Sequence, residues 1–297
     1  MLIHAGAPIS AKVFTQLPVA YRHTGAPSTW AKMTRPGKAL HSFLEGLVFD
    51  STGDLWLADV AYGRIFRIDP TRTWHLMYAG DGEPHSLRPI ANGRFAVVDY
   101  SRGLLIFTPA TGMVEALCGD DRGQPFLGLS DLTVASNGDI WFTDSGRTSL
   151  SDPRGHLYCR QADGTLIRVL DMIPYPNGVV LSPAEDLVFV AVTRANAVWR
   201  LKAKGAETPP MVGVHIHLSG GLGPDGLAIT PDGFLAVAHA QAGRAFIFDP
   251  LGNPVSEVRT PDGISTTSVA FDRDDNLYIA EADSATIYVT PRKEWGG

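Results

Sequence analysis

Glu45-Gly46-Leu47-Val48-Phe49-Asp50, a turn at Ser51–Asp54, then Leu55-Trp56-Leu57-Ala58-Asp59 is the stretch that decides the fold. Two short apolar, β-rich runs joined by a Gly/Asp turn read as a hairpin. Third and fourth strands follow at Arg64–Ile68 and Trp74–Tyr78. Four antiparallel strands in about 40 residues make one blade of a propeller. The opening phrase returns at His85-Ser86-Leu87, Ser130-Asp131-Leu132, Asn177-Gly178-Val179, Asp225-Gly226-Leu227 and Thr267-Ser268-Val269. Its hairpin turns return too, as Ala91-Asn92-Gly93-Arg94, Ser136-Asn137-Gly138-Asp139, Pro183–Asp186, Pro231-Asp232-Gly233 and Arg273–Asn276. Asn-Gly and Asp-Gly pairs supply the positive φ angles that such turns need.

Six repeats predict an all-β, six-bladed β-propeller of four-stranded antiparallel blades, taking residues 1–297 as a single domain. After Thr267 the chain has room for three strands of the last blade but hardly for a fourth. Lys12–Leu17 is the natural fourth strand, closing the ring and removing the exposed edges. Tyr21–His41 is rich in Pro, Thr and Lys and lacks strand periodicity. It is expected to be a loop over one face, and residues 1–42 then hold both a closing strand and a lid.

Composition narrows the function classes. The 297 residues are 44% hydrophobic and 19% charged, with a net charge of −6. That is ordinary for a globular chain with a sizeable core. No basic run supports a nucleic-acid partner, and no apolar run reaches the length of a membrane helix. The N-terminus lacks the pattern of a signal peptide. Cys118 and Cys159 fall in different repeats and fit free thiols at least as well as a disulfide. The expectation is a cytoplasmic protein with a small-molecule substrate, and neither nucleic acid nor membrane as partner.

The first strand of each blade lines the central channel, so the residue that opens the repeat lies at one mouth in every blade. Those residues are Glu45, His85, Ser130, Asn177, Asp225 and Thr267. A propeller needs nothing but small or turn-forming residues there. Glu, Asn and Asp converging on one axis instead supply hard oxygen ligands, suited to Ca²⁺, Mg²⁺ or Mn²⁺. Glu-Gly, Asn-Gly and Asp-Gly pairs also read simply as turns. The ends of the second strands return to the same mouth and carry Asp59, Asp99, Asp144, His239 and Glu281. These read either as a second ring of site residues or as caps that accept hydrogen bonds from backbone amides. No Gly-x-Ser-x-Gly elbow and no phosphate-binding loop is present.

Glu45-Gly46-Leu47-Val48-Phe49-Asp50, Trp141-Phe142-Thr143-Asp144, Tyr175-Pro176-Asn177-Gly178 and Gly223-Pro224-Asp225-Gly226 resemble the motifs of the SMP-30/gluconolactonase/LRE-like family, over most of the chain. The resemblance implies a six-bladed propeller with one divalent metal in the channel. It also implies a hydrolase that opens lactones, gluconolactonase-like. Glu45, Asn177 and Asp225 match the family's metal ligands. Ser130 stands where the family usually has Asn, and His85 is likewise not part of the pattern.

The reading is a metal-dependent lactonase. Glu45, Asn177 and Asp225 hold one divalent ion, Ca²⁺ first, with Mn²⁺, Mg²⁺ or Zn²⁺ as options. Asp225 and Glu45 are the catalytic candidates, with His85 and His239 as alternative bases. Ser130, His85, Asp131 and His239 are the substrate-binding candidates. Two alternatives remain at this level: a metal-dependent hydrolase for a phosphotriester or cyclic ketone, and a non-catalytic calcium-binding propeller.

Overall fold

A computed structural model describes residues 7–203 and 210–296. Six four-stranded antiparallel sheets stand around a central axis as the blades of a propeller. The innermost strands, in chain order, are Leu44–Phe49, Pro84–Ile90, Leu129–Val134, Pro176–Leu181, Gly223–Ile229 and Thr266–Phe271. Each pairs with its successor, and the chain works outward through the blade before entering the next. Second strands are mainly apolar until their last residues, as Leu187–Val192 and Leu235–Ala240 illustrate. They are covered on both faces by neighbouring blades, which explains continuous apolar runs where a one-faced sheet would alternate. The core is accordingly divided among the gaps between blades: Trp56, Phe95, Val97 and Phe107 fill one, Val180, Phe189, Val237 and Phe246 another.

Ring closure follows the sequence reading. Lys12–Gln16 pairs antiparallel with Thr286–Thr290 and completes blade 6. Thr267 Oγ1 then donates to Leu44 O at 2.7 Å, and Leu47 N donates to Ser268 Oγ at 2.9 Å, so the last blade is bonded to the first. Ile9–Ser10 adds a fifth strand, parallel, to the edge of blade 5. A single N-terminal segment thus stitches two blades, with the buried Ala11 at the crossing, where its N–H bonds Arg259 O at 2.9 Å. The turns match their residues. Where glycine is absent, Glu185 and Asp275 take the positive φ themselves, at 54° and 55°.

The segment 21–41 differs from the loop expected. It contains a six-residue helix, Thr29–Thr34, whose start is capped by Ser28 Oγ accepting from Ala31 N at 3.1 Å. Six residues are too few for a helical period to show in the sequence. Pro36-Gly37 follows the helix, and Trp30 packs inward on Phe43 with ring centroids 4.8 Å apart. Cys118 and Cys159 are both free thiols. Among the described residues no helix is long and apolar enough to cross a membrane.

Candidate active site

Every inner strand is irregular near its start. Register shifts fall at Glu45/Val48, Pro84/Ser86, Leu129/Leu132, Pro176/Val179, Pro224/Leu227 and Thr266/Ser268. A bulge re-aims the side chain beside it, and six of them around one axis turn six side chains toward one cavity. That cavity measures about 260 Å³, and Glu45, His85, Ser130, Asn177, Asp225 and Thr267 all line it. The six lie within the strands, at the bulges, rather than just ahead of them.

The glycines after Glu45, Asn177 and Asp225 have a packing reason. A Cβ on Gly46 would stand 2.6 Å from His85 O, and one on Gly178 would stand 2.4 Å from Asp225 O. Neighbouring backbones at the axis therefore touch where any side chain would block them. The Glu-Gly and Asn-Gly pairs are close-approach devices here, not loop turns.

Charge at the cavity floor is poorly balanced. Burial raises the Glu45 carboxyl well above its usual range, and repulsion from Asp225 and Asp131 adds to it. The Asp225 carboxyl is pushed up to about 8 by burial and by Asp131, with Arg35 and a hydrogen bond from Asn177 opposing. Ser130 Oγ donates to Asn177 Oδ1 at 2.9 Å, which orients the amide. Asp131, expected to touch substrate, lies beneath this layer. Its Oδ2 accepts from Val179 N at 3.0 Å and its Oδ1 faces Arg88 at 3.4 Å. It contributes charge from below.

His85 is set in the cavity wall. Its Nδ1 lies 3.0 Å from Glu83 O. A carbonyl only accepts, so Nδ1 carries the hydrogen and Nε2 keeps its lone pair. Burial lowers the His85 pKa, so the neutral ring is favoured at neutral pH.

The second ring is structural. Asp59 Oδ1 accepts from Phe43 N at 2.7 Å, and Asp99 Oδ2 from Glu83 N at 2.9 Å. Asp144 Oδ1 accepts from Gly128 N at 2.8 Å, and Glu281 Oε1 from Ser265 N at 2.9 Å. Each ties the end of a second strand to the segment entering its own blade. His239, expected at the site, is a correction: it occupies the same repeat position and does the same work. Its Nε2 lies 2.9 Å from Gly220 O and the residue is 1% exposed, so it is absent from the cavity wall.

Residues 43–283 match the SMP-30/Gluconolactonase/LRE-like region. The chain belongs to the SMP-30/gluconolactonase/LRE-like family. Relatives within reach of sequence comparison include Lactonase drp35 of Staphylococcus haemolyticus, 28% identical over 252 residues, which span 78% of this chain and 73% of that one. Lactonase drp35 of Staphylococcus aureus strain USA300 is 28% identical over 245 residues, with the same coverage. Among solved structures, a gluconolactonase from Xanthomonas campestris superposes with a TM-score of 0.75 at 22% identity, covering 97% of this chain and 98% of that one. Regucalcin, a calcium-binding protein from Agrobacterium tumefaciens, gives a TM-score of 0.74 at 19% identity, covering 95% of each. These structural likenesses establish the shared propeller.

The family motifs cover the floor of the cavity but not its walls. Trp30, Thr34 and Arg35 come from the N-terminal segment, and Tyr100, Arg147, Tyr175 and Arg194 from the ends of strands and the loops between them. No repeat position marks these residues. Tyr175 alone leaves a trace: a bulky residue with φ of 63°, directly before Pro176-Asn177. Such backbone persists only where its surroundings impose it. Burial and the nearby Asp225 push its phenol up to about 12.

Two carboxylates, an amide and a hydroxyl make a hard-oxygen set. Among the described residues no three His, Cys, Asp or Glu side chains form a metal cluster of their own. The donors fit a divalent cation all the same, because the half-buried Glu45 and the buried Asp225 line one cavity with more negative charge than Arg35 offsets.

Proposed function

We propose that this protein is a hydrolase that opens a lactone ring with the help of one divalent metal ion. The observation that carries the reading is the convergence of six bulge side chains on one cavity whose floor holds two undercompensated carboxylates. The lactonase names of the sequence relatives support it, and the calcium-binding structural relative supports Ca²⁺ as the ion.

Glu45, Asn177 and Asp225 would hold the ion. When bound, such an ion supplies Lewis acidity, polarising an ester carbonyl and making water acidic enough to attack near neutral pH. The protein's own groups do the rest. Asp225 takes a proton from the attacking water as its oxygen adds to the ester carbonyl carbon. Asp225 returns that proton to the ring oxygen as the ring C–O bond breaks, and the product is a hydroxy acid whose new carboxyl group ionises and releases the proton that the assay reads. Ser130, through its hydroxyl, and His85, through its Nε2 lone pair, hydrogen-bond the substrate's hydroxyls. Trp30 and Phe43 give the ring an apolar surface and exclude water from that side. A cavity of about 260 Å³ suits a compact substrate.

Purified protein, stripped of metal and reconstituted with Ca²⁺, Mn²⁺, Mg²⁺ or Zn²⁺, is offered a panel of γ- and δ-lactones while proton release is recorded. Metal-dependent acid release is the expected result. Metal binding without turnover of any lactone would leave a calcium-binding propeller in place of an enzyme.

A further inference from the structure

Three guanidinium groups line the cavity above its acidic floor: Arg35, Arg147 and Arg194. Arg35 comes from the N-terminal segment, and Arg147 and Arg194 come from the loops that follow the second strands, Ile140–Asp144 and Leu187–Val192, of blades 3 and 4. Among the described residues none of them has a carboxylate within ion-pairing distance. In a chain of net charge −6, three unpaired arginines around one opening are not a by-product of composition.

Arg35 is the most constrained. Its Nη2 donates to Ser265 Oγ at 3.0 Å, and Ser265 Oγ donates in turn to Asp283 Oδ2 at 2.8 Å. The Asp283 carboxylate already faces Lys38 Nζ at 3.5 Å, so it does not neutralise Arg35. The guanidinium lies over the Phe43 ring, 5.1 Å from its centroid, and its Nε is out of water without a hydrogen-bond partner. Arg147 reaches from the exposed rim to Thr34 Oγ1 at 3.2 Å, and Arg194 rests over Tyr175 at 5.5 Å. The facing negative groups are Glu45 and Asp225 on the floor, Asp131 below it, and Glu83 beside Arg147. Glu45 and Asp225 are the pair a divalent cation would neutralise, and Asp131 already faces Arg88. The walls then keep an excess of positive charge.

We propose that the substrate is an anionic lactone, its ring bearing a carboxylate or phosphate group that Arg35 binds with help from Arg147 and Arg194. The inference rests on the lactonase reading and deepens it. An oxyanion matches the planar donor fork of arginine, which a neutral polyol ring does only weakly. Every lactone yields a carboxylate on opening, so arginines that merely served the product or the reacting carbonyl would favour neutral and anionic rings alike.

The test compares kcat/KM for δ-lactones of one ring type carrying a hydroxymethyl, a carboxylate or a phosphomethyl substituent. One anionic substrate is expected to exceed the neutral one by about tenfold or more, mainly through KM. The advantage is expected to shrink as salt is added. The better of the two anionic arms identifies the group. Arg35→Met keeps the stem and removes the charge, so the anionic-to-neutral ratio is expected to collapse, with partial rescue in Arg35→Lys. Arg147→Met, at an exposed position that does not threaten folding, is expected to lower the same ratio less. Equal turnover of neutral and anionic rings, or a ratio unmoved by both Met variants, overturns the proposal while leaving the lactonase reading intact. Calorimetry on ring-opened acids separates the two ideas. If no lactone is opened but a sugar diacid binds more tightly than its monoacid, and Arg35→Met abolishes the difference, the anion site stands and the lactonase reading falls.

Discussion

Two rings of acidic residues surround the same mouth, and only their partners distinguish them. Asp59, Asp99, Asp144 and Glu281 each accept at least one backbone N–H from the segment entering their blade. Glu45 and Asp225 line one cavity and repel one another, with Arg35 as the opposing charge. A buried carboxylate with backbone donors is a fastener; a buried carboxylate facing another is a site waiting for a cation. The comparison can be broken in either ring.

The largest effect is expected from the inner ring. Glu45→Gln or Asp225→Asn should lower lactone opening by about a hundredfold or more. The melting temperature of the metal-free protein should hold or rise, because a buried repulsion disappears. Full activity in either variant, read by proton release, would remove these residues from the site.

The outer ring should behave in the opposite way. Asp144→Ala leaves Leu127 N and Gly128 N without their acceptor. The expected cost is about 2–5 kcal/mol of stability, seen as an earlier denaturant midpoint, with activity per folded molecule retained. A variant as stable as the parent but inactive would place Asp144 in the chemistry.

Chelation should sharpen the contrast through pH. Asp225 holds its proton up to about 8 in the folded metal-free protein, against 3.8 for an unperturbed aspartate. The folded state therefore binds more protons than the unfolded state between these values, and stability falls as pH rises through that window. Melting curves with chelator should decline from pH 5 to pH 8 more steeply for the parent than for Asp225→Asn. Restoring a divalent ion should flatten the parent's decline. Identical slopes in the two proteins would contradict the proposed floor.

The smallest change is at Ser130. Ser130→Ala removes the hydrogen bond to Asn177 Oδ1, worth about 1 kcal/mol, and should raise KM or the metal requirement by a few fold. An unaltered metal titration and KM would show that Asn177 needs no such support.

Much of this molecule was legible in one dimension. The strand–turn–strand phrase beginning at Glu45 recurs because each blade must solve the same packing problem, so its period is legible, as is a closing strand within Lys12–Leu17, which the structure bounds at Lys12–Gln16. The six opening residues were legible for the same reason: equivalent positions of a closed ring share one axis. His239 shows the limit. Its repeat position matches Asp99 and Asp144, and the sequence does not say that its ring turns to Gly220 O. The arginines show the other limit: Arg147 and Arg194 lie one residue out of step in the corresponding loops of blades 3 and 4, Arg35 belongs to no repeat, and the three meet only when the ring is closed and the segment 21–41 is laid across it.

The sequence by itself determined the propeller, its closure and the oxygen-rich floor, because these follow from local strand chemistry repeated around a symmetry axis. Only the tertiary structure decided which acids are fasteners and which are unpaired, and that the floor is roofed by arginine. Hydrogen-bond partners and charge balance are set by side chains far apart in the chain, and no periodicity encodes them.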